Sequence, residues 1–141
     1  MTGREKTYAL LARLHNQEME TQAGTLAALQ GEADRLTAER SQLDQSRREG
    51  ASVTMIEAMP YRGRFLNIVR QENQRLSRLI TDVEKRIETQ RDKVIDAYRE
   101  VRSSEKLQAD VRTDILRELR QADQAEADEM ALLRRFAGPA E

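Results

Sequence analysis

Apolar residues recur along the first third of the chain in alternating steps of four and three. Starting at Tyr8, these steps land on Ala12, His15, Met19, Gln22, Leu26, Leu29, Ala33, Leu36, Arg40 and Leu43, and eight of these eleven positions are apolar. An unbroken 3/4 alternation holds one narrow stripe against a partner helix, the seam of a left-handed coiled coil. It predicts a helix over about 4–48. A second run is cleaner: Leu66, Val69, Asn73, Leu76, Ile80, Val83, Ile87, Gln90, Val94, Ala97, Val101, Ser104, Gln108, Val111 and Ile115 keep the alternation, with eleven of fifteen positions apolar. Two steps of four then bring in Leu119, and the stripe stutters on through Ala122, Glu126, Met130 and Leu133. The second helix is expected over about 61–137, ended by Gly138-Pro139.

Between the runs, Gly50 is expected to end the first helix, Ser52 to cap a short helical turn, and Pro60 to sit in the first turn of the second helix. A bend over about 49–60 is short, and chains joined this way fold back as antiparallel neighbours. The fold class expected is all-α: a single domain of two long helices in an antiparallel coiled-coil hairpin with unequal arms. A fold about residue 55 sets Tyr8 beside a residue near 102, so α-helix from about 108 onward is expected to project unpaired and to expose its stripe.

Composition supports this reading. Of 141 residues, 35% are charged and only 4% aromatic, which is too little bulk for a thick globular core. A mean hydropathy of −0.79 would also suit a disordered chain, but disorder gives no reason for regular leucine spacing. The net charge of −1 argues against nucleic acid as a partner. The chain has no cysteine, and it has no apolar run near the ~20 residues a membrane span needs. These features suit a soluble, unexported, intracellular protein.

Candidate chemistry is sparse. His15 is the only histidine and lies on the seam without a second histidine, a cysteine or an isolated carboxylate pair, so no metal or catalytic site is expected. No glycine-rich phosphate loop is present, and no cofactor is expected. Gly24 and Gly31, seven apart on the outer face of the first helix, either thin the rod for a close approach or are tolerated. The polar seam residues Gln22, Arg40, Asn73, Gln90 and Gln108 either fix the register or are imperfections that a long seam absorbs.

Protein contacts are the remaining possibility. At the bend, Val53, Met55, Ile56, Met59, Tyr61, Phe65 and Leu66 cluster with Arg47, Arg48, Arg62 and Arg64, residue types enriched at binding hot spots. Their alternative role is to pack the bend. At the far end, an acidic run with Asp123, Glu126, Asp128 and Glu129 precedes Met130, Leu132, Leu133, Arg134, Arg135 and Phe136, an apolar stripe with a basic end.

The length, the unequal arms, Tyr61 and Phe65 four apart after the bend, Glu105-Lys106-Leu107, and the closing run from Ala127 to Arg134 together resemble the FliJ stalk proteins of flagellar type III export and their injectisome counterparts. The resemblance implies a cytoplasmic, non-enzymatic monomer, peripheral at the inner-membrane export apparatus. Its terminal end would enter the hexameric export ATPase and promote its assembly and activity. Its turn end would touch the cytoplasmic domain of the export gate, with export chaperones as further partners. Carried over by position, Met55, Ile56, Tyr61 and Phe65 fall on the gate side, and Glu129, Met130, Leu133, Arg134 and Phe136 on the ATPase side. The chain departs from the family in having Arg47 and Arg48, not aromatics, near the end of its first helix. A structural coiled-coil scaffold or dimerisation rod and an export chaperone are the alternatives.

Overall fold

The computed structural model describes residues 2–52 and 56–138. Two helices, α1 (Gly3–Ala51) and α2 (Met59–Phe136), are joined through a short 3-10 turn at Ile56–Ala58, and they pack antiparallel as a hairpin with unequal arms. No strand occurs among the described residues. Thr2 opens α1: its hydroxyl oxygen accepts the Glu5 backbone N–H at 3.2 Å, while its carbonyl accepts the Lys6 N–H at 3.0 Å. This is half of a Thr-x-x-Glu capping box, a signal present in the sequence but overshadowed there by the stronger seam pattern. Pro60 is the second residue of α2, where its missing N–H leaves no helical bond unmade.

The end of α1 differs from expectation. The helix runs through Gly50 to Ala51, and Gly50 does not have the positive φ of a C-terminal cap. Its lack of a side chain serves packing instead, because a Cβ there would overlap the edge of the Phe65 ring. The residues that Ser52 would cap, 53–55, lie outside the described residues, and the bonds it makes run backward into α1. Its hydroxyl donates to the Glu49 carbonyl at 2.6 Å and its N–H is shared between the carbonyls of Arg48 and Glu49, which satisfies acceptors that the last turn of α1 would leave open.

The chain divides into two compact units. In the first, Glu18–Ala97, the core is Leu36, Leu76, Ile80, Val83 and Ile87, flanked by Leu26, Leu29, Ala33, Leu43 and Leu79. Leu76 is only 2% exposed, and burying such a side chain contributes about 1.5–3 kcal/mol. One polar layer is closed within this core: the Gln90 side-chain amide donates to the Gln22 carbonyl at 2.9 Å and to the Gln22 side-chain oxygen at 2.6 Å.

The second unit joins Met1–Gln17 to Tyr98–Glu141. Ala12 packs inward, as do Val101, Ser104 and Val111. His15 Nδ1 hydrogen-bonds the buried Ser104 hydroxyl, so the only histidine closes a second polar layer. Helix pairing extends beyond the expected limit near residue 108: Val111 is buried, Ile115 is half-buried, and Arg4 reaches the Glu118 carboxylate at 3.3 Å. The reason is that α1 begins at Gly3, ahead of Tyr8, and the long Arg4 side chain spans the last interval. From Leu116 to Gly138 every residue is exposed.

Candidate protein-binding surfaces

Burial follows the seam closely until it stops. None of the eleven α1 seam residues is exposed, and of the fifteen on α2 through Ile115 only Asn73 is. The apolar pattern does not end where burial ends. Leu119, Ala122, Met130 and Leu133 continue it on the exposed part of α2, with Glu126 as the polar interruption. Core-type spacing without a core makes this segment a candidate binding surface.

The five residues assigned to the ATPase side all lie on this segment. At 100° per residue, Met130 and Leu133 sit on the stripe, Glu129 and Phe136 share one flank of it, and Arg134 lies on the other. They span roughly half the helix circumference, so one partner surface can reach all five. Phe136 is 85% exposed and Leu133 58%, values that leave most of their apolar area available for burial. Leu132 widens the apolar arc beyond Phe136. The acidic run before it is not a single face, since Gln124 hydrogen-bonds Asp128 at 3.0 Å on the side away from the stripe.

At the turn end the assigned residues divide. Met55, like Val53, lies outside the described residues. Ile56 stands in the 3-10 turn, 86% exposed, and Tyr61 and Phe65 lie one helical turn apart on α2. Phe65 also packs over Gly50 of α1, which holds its ring and leaves one edge open. Leu66 belongs to the seam and is not part of the surface. Ile68, 63% exposed, completes the stripe three residues beyond Phe65. Sequence reasoning missed it, although the spacing Tyr61, Phe65, Ile68 is the same 4/3 step that located the seam. Leu10 and Leu14, exposed on the outer side of α1, were missed in the same way.

The arginines near the bend are not all free to bind. Arg47 and Arg48 both pair with Asp44, at 3.0 and 2.9 Å. The hydrogen bond from Arg47, with the charge of Arg48 adding to it, holds the Asp44 carboxyl below its ordinary range. Where the resemblance to the stalk proteins would set aromatics, this chain has a surface ion-pair cluster.

Among the described residues no group of three or more His, Cys, Asp or Glu side chains is placed to hold a metal ion, and no helix is long and apolar enough to cross a membrane. No curated protein and no solved structure matches the chain. Residues 5–139 match the family described as flagellar FliJ protein. With nearly its whole length matched, and with paired helices carrying exposed apolar stripes at both extremities of α2, the chain belongs to the flagellar FliJ family of coiled-coil, export-related proteins.

Proposed function

We propose that this protein is the central stalk of the flagellar type III export apparatus. The distal part of α2 engages the hexameric export ATPase and promotes its assembly and turnover, and the turn end contacts the cytoplasmic domain of the export gate. The protein would then be peripheral to the inner membrane through its partners. One observation carries this reading: the seam spacing continues from Leu119 to Leu133 after its partner helix has ended. A stripe on a single helix suits a pore, whose walls can cover the helix from several sides at once.

Self-pairing accounts for the stripe less well. Two copies aligned along it about Glu126 would set Asp123, Glu126 and Glu129 each against its own counterpart when parallel, and Asp123 against Glu129 with Glu126 against itself when antiparallel, and like charges at a helix interface are repelled.

The stalk transfers no phosphate in this mechanism. It acts by binding one arrangement of the ring's subunits better than another, and its effect on turnover is bounded by that difference in affinity. The test is the hydrolysis rate of the purified export ATPase with this chain and with its Leu133→Asp and Phe136→Asp variants. Stimulation by the native chain and its loss in both variants, at unchanged helicity, is expected. Equal stimulation by the variants, or none by the native chain, would refute the assignment.

A further inference from the structure

The polar layers of the seam are of two kinds. Gln22 with Gln90 and His15 with Ser104 are closed, each satisfied by a hydrogen bond across the helix pair. The layer of Arg40 and Asn73 is open. Asn73 is the one exposed member of the seam up to Ile115, and neither side chain has a hydrogen-bond or ion-pair partner among the described residues. It lies between well-buried layers, with Leu36 and Leu76 on one side and Val69 on the other.

Two adjoining hollows open at this break, of about 300 and 450 Å³. Asp44 and Asn73 line both. The first adds an apolar floor of Leu43, Leu66 and Val69 beneath Arg70, and the second adds Arg40 and Ser77. On α2 the lining residues Leu66, Arg70, Asn73 and Ser77 follow steps of four, three and four, so they form one continuous stripe. That stripe lies roughly 140° around the helix from Tyr61, Phe65 and Ile68. The groove is therefore a separate surface from the turn-end patch, and it does not depend on the stalk reading.

Charge selects the occupant. Asp44 is taken by Arg47 and Arg48, which leaves Arg40, level with Asn73, and Arg70, three residues before Asn73 on α2, as cations along the middle of the groove with no ion-pair partner among the described residues. From Leu66 to Ser77 the groove runs about 16 Å at 1.5 Å per residue, the length of about five extended residues. The geometry points to a docking groove for an acidic peptide segment of a partner protein: a bulky apolar side chain enters the Leu43, Leu66 and Val69 hollow, carboxylates meet Arg40 and Arg70, and the Asn73 amide bonds the peptide backbone.

The probe is a hexapeptide of alternating glutamate and leucine, titrated into the isotopically labelled full chain and followed by backbone amide shifts, with its lysine–leucine counterpart as control. Shifts confined to the groove are expected with the acidic peptide and none with the basic one. The double variant Arg40→Glu/Arg70→Glu should weaken binding by at least about tenfold, and Asn73→Leu should remove it while raising the melting temperature by closing the seam. Unchanged binding in the double variant, equal binding of the basic peptide, or no binding of the acidic one would overturn the assignment. So would a dimer in sedimentation that shields Arg70, which would give the groove to a second copy. ATPase stimulation is measured on the same variants, and its persistence there separates failure of this groove from failure of the stalk.

Discussion

Phe65 lies against Gly50 so closely that a β-carbon on the glycine would overlap its ring, which ties the first turns of α2 to the last turn of α1. This contact explains why a residue that weakens helices stands inside one. Alanine is worth ~1 kcal/mol more than glycine in a helix interior, and Gly24 and Gly31, where an added Cβ would meet nothing within 4 Å, should gain it. Gly24→Ala and Gly31→Ala are thus expected to raise stability in urea unfolding by about 0.5–1 kcal/mol each. Gly50→Ala should gain nothing, because it displaces Phe65. A gain at Gly50 equal to that at Gly24 would show the ring to be free.

Truncating the seam should cost very different amounts on either side of Glu118. Leu76→Ala opens a cavity in the main cluster and is expected to cost about 2–5 kcal/mol. Leu133→Ala removes a side chain that touches little in the free chain and should change stability by less than about 0.5 kcal/mol. A comparable loss at Leu133 would mean that the distal stripe is already covered in the isolated protein.

Gln90 is buried and bonded to Gln22. Gln90→Ala leaves the Gln22 groups without their partner and should destabilise by about 1–3 kcal/mol. The double change Gln22→Leu/Gln90→Leu should recover that loss or exceed it, since a matched apolar layer needs no hydrogen bond. The accompanying loss would be register specificity, seen as several species in sedimentation. A uniquely monomeric double variant would favour the view that these glutamines are only tolerated.

Surface carboxylates give a modest acid dependence. Asp44 and Glu72 are held below their ordinary values of 3.8 and 4.5, chiefly by hydrogen bonds from Arg47 and Arg75. Lowered folded-state values mean that their contribution is present above those ordinary values and is lost as pH falls through the depressed ones. Both pairs are exposed, so salt should flatten the effect. Asp44→Asn is expected to reduce the fall in melting temperature as pH drops toward and below 3.8, the ordinary Asp44 value. An unchanged acid limb would place the dependence elsewhere.

The seam is legible in the sequence because the 3/4 period reports directly on a narrow buried stripe: all but one of its paired positions, Asn73, are at least partly buried. What the period does not convey is tertiary. Gly50 and Ser52 read as turn punctuation, yet one makes room for Phe65 and the other closes the carbonyls of α1. Pairing ends later than spacing suggests because its limit depends on which long side chains reach across, as Arg4 does to Glu118. Ile68, Leu10 and Leu14 are hidden in the sequence because a strong apolar stripe masks a weaker one on the same helix. The open layer at Asn73 resembles the closed ones at Gln90 and Ser104 until hydrogen-bond partners across the pair are known.

In the proposed stalk role, α2 beyond Glu118 would be the binding element for a ring-shaped ATPase. Backbone hydrogen exchange of residues 119–136, measured in the free chain and in the presence of the assembled export ATPase, tests this most directly. Exposed and unpartnered, this segment should exchange quickly alone, and strong protection is expected in the complex while residues 76–90 remain unchanged. Equal exchange in both samples, with binding demonstrated in the same mixture, would contradict the role and place the contact on another part of the molecule.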